Sequence, residues 1–336
     1  MHVSTLVWVV SILVVLGLFV FDFFAHVRTP HEPTLKESGF WTAVYIGLAV
    51  IFGIGVWVVS GPQYGGEFFA GFVTEKALSV DNLFVFVIIM AKFAVPKMYQ
   101  QKVLLIGIVM ALVMRGIFIA VGAAAISAFS WVFYLFGIFL IYTAFKLVKE
   151  AASPEGPIDD EEKRESRVAS LFKKIVPTTD QYDGDKLVTK IDGKKVATPL
   201  LLALVVIGFT DLLFAFDSIP AIYGLTQEPY LVFMANAFAL MGLRQLFFLI
   251  GGLLDRLVYL SYGLSIVLGF IGVKLVLHAL HENTLPFING GQPLAVPEIS
   301  TGLSLAVIMG VLAITTIASL LKSKHDDKKS IDAGSE

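Results

Sequence analysis

The sequence contains no cysteine. A disulfide framework, an iron–sulfur cluster and a thiolate metal site are thereby excluded, so any metal ion must be held by oxygen or imidazole. Charge is scarce as well: 15% of the 336 residues are Asp, Glu, Lys or Arg, and the net charge is -2. That balance excludes a nucleic-acid binder, whose basic surface would have to neutralise phosphates. A Gly-x-x-x-x-Gly-Lys phosphate loop is absent too, which argues against ATP-driven pumping.

What is present is apolar. Hydrophobic residues make up 57% of the chain and the mean hydropathy is +0.81, more than a soluble domain of ordinary composition carries. About nine apolar stretches of roughly 20 residues are each long enough to cross about 30 Å of hydrocarbon as a helix. They read as 6–24, 40–60, 69–90, 103–121, 131–148, 200–219, 231–250, 257–277 and 303–321. The first lacks a basic flank and an Ala-x-Ala site, so it reads as an uncleaved span rather than a signal peptide. The expected class is an all-α polytopic membrane protein.

Lysine and arginine occupy every second connection. They fall at Arg28 and Lys36, at Lys92, Lys97 and Lys102, from Lys149 to Lys195, at Arg256, and in the tail at Lys322, Lys324, Lys328 and Lys329. The intervening connections, 62–67, 122–130, 220–230 and 281–300, contain none. The positive-inside rule then predicts nine helices with the N-terminus outside and the C-terminus in the cytoplasm. The chain divides into two N-terminal helices (1–60), a three-helix unit (61–149), a cytoplasmic loop (150–198), a second three-helix unit (199–278), and an outer loop, last helix and basic tail (279–336). Within the loop, a charge run at 159–167 precedes Asp192-Gly193, which sits between two short strand-like runs and signals a hairpin. A linker with a small hairpin is expected there.

The two three-helix units repeat one pattern. Thr74-Glu75-Lys76-Ala77-Leu78-Ser79-Val80-Asp81-Asn82 parallels Thr210-Asp211-Leu212-Leu213-Phe214-Ala215-Phe216-Asp217-Ser218: Thr precedes an acid, a second acid follows six residues on, and a small polar side chain comes next. Downstream, Ala111 to Arg115 resembles Ala239 to Arg244, and Lys146-Leu147-Val148 matches Lys274-Leu275-Val276. An odd number of helices per unit inverts the second unit in the membrane, the plan of many secondary transporters.

An ionised Asp, Lys or Arg at the centre of a span costs about 2.5 to 3.5 kcal/mol, so Glu75, Lys76, Asp81, Arg115, Asp211, Asp217 and Arg244 exposed to lipid would cost on the order of 20 kcal/mol. They are expected to face inward. At about 100° per residue, Glu75, Ser79 and Asn82 share a stripe, as do Asp211 and Ser218, while Asp81 and Asp217 lie roughly 120° away from their partner acids. Either each second acid meets a different neighbour or the helix unwinds there, and Pro220 supplies a reason for unwinding in the sixth span. Carboxylates with Asn and Ser oxygens suit hard divalent ions, and could take protons when the ion leaves. Four acids against three bases could equally satisfy one another as a structural network.

The strings Glu75-Lys-Ala-Leu-Ser-Val-Asp81-Asn82 and Asp211-Leu-Leu-Phe-Ala-Phe-Asp217-Ser218-Ile-Pro-Ala-Ile222 resemble the two signature segments of the TerC family of integral membrane proteins, as does Leu240-Met-Gly-Leu-Arg244. The similarity runs from Gly61 to Leu277, with the first span and central loop placed as in Alx-like bacterial members. The resemblance implies a bacterial inner-membrane protein of the LysE-like transporter group, with Mn2+ efflux and tellurium resistance attributed to the family. It implies Glu75, Asp81, Asp211 and Asp217 as ion-binding acids, with Asn82, Ser218 and Ser79 supplementing them and Arg115 and Arg244 holding the acids in place. Many members carry an acid where this chain has Gly208, which bears on the ligand set and metal preference. No permanent cofactor is implied; the partners are a divalent cation, a proton as counter-ion, and the lipid bilayer. Plastid members linked to membrane biogenesis supply the alternative of an assembly factor without ion transport.

Other features carry blander readings beside functional ones. His278, His281 and Glu282 could share a face for zinc, but a solvated loop is the simpler reading. Asp22, near the inner end of the first span, is expected to snorkel, with a place in the pathway as the alternative. Asn236 lines a cavity or makes an interhelical hydrogen bond, and Gly47, Gly53, Gly55, Gly263, Gly269 and Gly272 permit close helix packing. The 28 phenylalanines are lipid-facing bulk. The Gly-x-Gly-Asp motif of presenilin-like intramembrane proteases is absent from the spans, with Asp183-Gly184-Asp185 in the polar loop, so the chain reads as a non-enzyme.

Overall fold

The computed structural model describes residues 1, 3–24, 33–152, 167–191, 193–250, 257 and 259–333. Arg28, the charge run at 159–166, Asp192, Arg256 and the side chains of Asp81, Phe84, Glu150, Ile250 and 325–333 lie outside that description. The described helices are α1 (Thr5–Asp22), α2 (Leu35–Ser60), α3 (Pro62–Lys92), α4 (Lys97–Ala128), α5 (Val132–Ala152), α6 (167–175), α7 (Pro199–Tyr223), α8 (Pro229–Leu240), α9 (Leu243–Ile250), α10 (Leu260–His281) and α11 (Thr301–Ala333). Strands β1 (Val188–Ile191) and β2 (Lys194–Ala197) pair antiparallel, Val188 opposite Ala197 and Ile191 opposite Lys194, with Gly193 at φ +76° in the turn.

Local chemistry sets many of the helix ends. Thr34 accepts from the Glu37 amide at 3.2 Å to open α2. Pro62, Pro199 and Pro229 each sit in the first turn of a helix, where a missing N–H costs nothing. Gly61, at φ +99°, turns the chain between α2 and α3.

Eight segments are long and apolar enough to span a bilayer: α1, α2, α4, α5, α7, α8 together with α9, α10 and α11. The protein is an all-α polytopic membrane protein. The remaining member of the predicted set is α3, which Glu67, Glu75, Lys76 and Asp81 make too polar to stand out by hydropathy. It is nonetheless 31 residues long and packs against α2, α7, α8 and α11. The α8–α9 segment is the most enclosed at 78% buried and α11 the least at 17%, so the polar repeat sits at the centre and the outer helices face lipid.

The connections lacking Lys and Arg meet at one end of the bundle. Thr226 donates to Glu67 at 2.6 Å, Gln227 meets His278 at 2.7 Å, Ser130 meets Thr284 at 3.0 Å, and Tyr134 donates to Asn283 at 3.2 Å. At the opposite end the hairpin segment docks on the α3–α4 connection. Tyr182 donates to the Phe93 carbonyl there, and Lys102 Nζ lies 2.7 Å from Asp185 Oδ2.

Two expectations need correction. The seventh span is not one helix: Met241 is extended (ψ 134°) and Gly242 lies at φ +75°, so the run breaks into α8 and α9. By contrast α7 stays helical through Pro220, which removes only the one bond its own amide would give to the Phe216 carbonyl. Among the glycines, nothing approaches a Cβ placed at Gly47 or Gly55, so neither mediates close packing. The tight crossing is between α5 and α10, where a Cβ on Gly137 would lie 2.8 Å from the Gly272 carbonyl oxygen and one on Gly272 would lie 2.9 Å from that of Gly137.

Overpacking a helix crossing costs about 1–3 kcal/mol. Gly272→Leu is therefore expected to lower the unfolding temperature of the detergent-solubilised protein, with Gly55→Leu leaving it unchanged; equal effects would contradict the assigned interface. The Lys102 hydrogen bond holds the Asp185 carboxyl below its ordinary value of 3.8. A carboxylate with a lowered folded value stabilises above the ordinary value and loses that contribution as pH falls through the lowered one. Acid should thus loosen the docked hairpin, read as faster proteolysis at 167–198 near pH 3 than at pH 6, with Asp185→Asn reducing the difference and the remainder falling to Asp183, which Thr189 and Lys186 likewise hold low.

Candidate functional site

The polar centre is built from α3, α4, α7 and α8. Arg115 of α4 is fully buried. Its Nη2 lies 3.2 Å from Asp211 Oδ1 and its Nε 3.5 Å from Asp211 Oδ2, a bidentate grip on α7. Its Nη1 pairs with Glu75 of α3 and donates to Asn236 Oδ1 of α8 at 3.4 Å. One guanidinium thus joins two acids from the two repeat units and the amide of a third helix. Solvent reaches none of them.

Around this centre lie buried polar atoms without hydrogen-bond partners among the described residues: Glu75 Oε2, Thr74 Oγ1, Ser79 Oγ, Ser218 Oγ and Asn236 Nδ2. Ser79 follows Glu75 by one helical turn, and Ser218 follows Asp211 by two, so each hydroxyl stands on the stripe of its own acid. Asn82 continues the α3 stripe and is buried as well. Orphaned buried oxygens each forgo about 1–3 kcal/mol, and most buried polar groups in proteins avoid that cost.

The second acid of the repeat faces elsewhere. Asp217 is half-buried and accepts from Thr143 Oγ1 of α5 at 3.1 Å. Because α7 remains regular, the rotation between Asp211 and Asp217 aims them at different neighbours, and the unwinding alternative is not needed. Among the described residues, no three His, Asp or Glu side chains come together as a metal-holding group. The Asp81 side chain lies outside that description.

Arg244 does not hold Glu75, Asp211 or Asp217. It makes a separate buried network at the C-terminal end of α1: Nη2 lies 2.8 Å and Nε 3.2 Å from the two Asp22 oxygens, and Nη1 donates to Gln101 of α4. Tyr45 of α2 and Gln245 add hydrogen bonds to Asp22 Oδ1 at 2.8 and 3.0 Å. Asp22 is therefore enclosed rather than snorkelling, because Arg244 and two neutral donors replace the water it would otherwise seek. Lys76, beside Glu75, donates to the Ala239 and Met241 carbonyls at 2.9 and 3.2 Å. These are carbonyls that the α8–α9 break leaves without helical partners, and a cation there also complements the helix C-terminus.

His278 and His281 turn to different partners, Glu282 at 3.5 Å and Glu298 at 3.2 Å, so the zinc alternative has no shared geometry. Sequence reading did not single out Tyr45, Gln101, Thr143 or Gln245. Their signal was available in principle, as polar side chains inside or beside apolar runs.

Removing one member of a buried ion pair costs about 3–5 kcal/mol because the partner charge is left uncompensated. Arg115→Met should lower the unfolding temperature accordingly, and adding Glu75→Gln with Asp211→Asn should recover most of the loss. Equal instability of the single and triple variants would contradict the pairing.

The family model described as the integral membrane protein TerC family matches residues 60–327. An uncharacterized membrane protein of Mycobacterium tuberculosis is 51% identical over 324 residues, covering 96% of this chain and 81% of the relative. The chloroplastic thylakoid membrane protein TERC of Arabidopsis thaliana is 45% identical over 246 residues, covering 73% of this chain and 62% of the relative. A protein of Escherichia coli named as the membrane-bound redox modulator Alx is 33% identical over 314 residues, covering 91% of each chain. No solved structure matches the chain.

Proposed function

The chain belongs to the TerC family of integral membrane proteins, and from that membership and its buried carboxylates we propose that it exports a divalent cation, Mn2+, in exchange for protons. The observation that carries this reading is the enclosed Glu75–Arg115–Asp211 centre with partnerless oxygens on Glu75, Ser79 and Ser218. Carboxylate and hydroxyl oxygens are the donors that Mn2+ and similar hard ions prefer. In the absence of cysteine, softer metals have no thiolate to favour them.

Arg115 holds the place between two carboxylates that a cation would take. A divalent ion arriving there competes with the guanidinium, and its departure lets Arg115 or protons restore the balance of charge. Asp217 and Asp81 extend the set along α7 and α3. Arg244 anchors α9 to α1 rather than touching the ion.

Alternating access is supported by how the helices pair. In the repeat, α3 corresponds to α7, α4 to α8 with α9, and α5 to α10. The contact of α3 with α8 has its counterpart in α7 with α4, and α5 packs against its own counterpart α10. A two-fold relation between inverted units exchanges contacts in this way. The bacterial relatives support a place in the cytoplasmic membrane, and the distribution of Lys and Arg supports an N-terminus outside it.

The complete pairing of Arg115 favours a second reading, in which the network is structural and the protein assists membrane assembly. Redox modulation of the kind named for the Alx relative would have to proceed here without thiols, since the chain has none.

Purified protein in liposomes loaded with a manganese-sensitive dye separates these readings. Mn2+ flux that rises with an opposing pH gradient, and falls at least tenfold in folded Glu75→Gln and Asp211→Asn variants, is the expected result; a tenfold loss corresponds to about 1.4 kcal/mol. Absence of flux under every gradient, or full flux in both variants, would falsify transport through this centre.

A further inference from the structure

The end of the bundle that lacks Lys and Arg in its connections contains a cavity of about 300 Å³. Its walls come from the start of α3 (Gln63, Tyr64, Glu67), the α7–α8 connection (Gln227) and the end of α10 (Lys274, His278). Glu67 lies eight residues before Glu75 on α3, about 12 Å along the axis at a 1.5 Å rise per residue. Between them, a Cβ on Gly71 would lie 3.3 Å from Ala235 and 3.5 Å from Ile222, so an apolar layer of small and branched side chains separates the cavity from the buried centre.

The charges in this cavity are unevenly matched. Glu67 is buried; among the described residues its oxygens accept from the neutral donors Gln63 (3.0 Å) and Thr226 (2.6 Å), and its charge acts on Lys274 across the cavity. Lys274 makes no hydrogen bond or ion pair among the described residues. Glu228 is already met by the Met1 amino group, and His278 by Gln227 and Glu282. At about 30 Å³ per water, the volume holds on the order of ten waters, enough for a divalent ion with its first hydration shell. Since no three acidic or histidine side chains converge there among the described residues, direct coordination is not offered. Contact through water is, and small divalent ions give up their waters reluctantly.

Resting on the transport reading, we propose that this cavity is the extracytoplasmic release station for the hydrated cation, with Glu67 attracting the ion and Lys274 opposing it so that it is held weakly. Weak binding lets the ion leave the station quickly, while the ion and proton gradients set the direction of net flow; the Lys274 ammonium, facing Glu67 in the same chamber, weakens the hold without closing it. Lys274 is thus a positioning charge rather than a ligand.

The test exploits the absence of cysteine. With Gln227→Cys as the only thiol, the rate of modification by a membrane-impermeant maleimide is measured on intact cells and on purified protein, with Mn2+ added outside. Labelling from outside, slowed by Mn2+, is expected. Adding Lys274→Gln should lower the half-protecting Mn2+ concentration about tenfold, and adding Glu67→Gln should raise it about tenfold, the effect of one unit charge near a divalent ion in a largely aqueous dielectric. No labelling from outside, labelling that Mn2+ does not slow, or half-protection indifferent to both substitutions would each overturn the station. Protection requires binding but no turnover. Flux without protection therefore strikes the station alone, and protection without flux strikes the transport reading alone.

Discussion

Arg115 holding Glu75 and Asp211 in the middle of the bundle is the interaction on which the rest of the arrangement depends. Charge in hydrocarbon is too costly to leave exposed, so α3, α4, α7 and α8 are obliged to converge on one another. That convergence makes α3 a central helix even though its composition alone would not mark it as a span. The apolar windows of the peripheral helices α1, α2 and α11 can then go almost without charge, because the polar work is done inside.

The network around Asp22 and Arg244 gives the two N-terminal helices their place. It fastens α1 and α2 to α9, the short helix beyond the break at Met241 and Gly242, and Lys76 fastens the other side of that break to α3. The adjacent residues Glu75 and Lys76 therefore touch two different devices, the ion-pair centre and the interrupted helix. Any shift of α3 that moves one must move the other. In the proposed transport, a cation displacing Arg115 would through this adjacency have a direct mechanical route to the α8–α9 joint.

Much of this was legible in the sequence. Hydropathy and the alternation of basic connections located the spans, and the repeat around Glu75 and Asp211 identified α3 as their equal. Helical arithmetic put Ser79 and Asn82 with Glu75, and Ser218 with Asp211, while aiming Asp217 away; the structure has Asp217 on Thr143. What could not be read were partnerships between distant helices. Arg115 and Arg244 occupy similar positions in the two signatures, and nothing local distinguishes the one that meets Glu75 and Asp211 from the one that meets Asp22. The break in the seventh span had only Gly242 to announce it, and the cation that meets its freed carbonyls, Lys76, lies more than 160 residues earlier.

The central claim is that the buried oxygens on α3 and α7 share a space that a divalent ion can occupy in competition with Arg115. Titrating Mn2+ into the detergent-purified protein and following the free-ion signal by electron paramagnetic resonance measures that occupancy directly. The account predicts saturable loss of the free Mn2+ signal with a tight component, which is strengthened when Arg115 is replaced by glutamine in folded protein and abolished in the Glu75→Gln/Asp211→Asn variant, where only weaker binding remains. A signal that the intact protein leaves unchanged at every concentration, or binding indifferent to both acids, would contradict it.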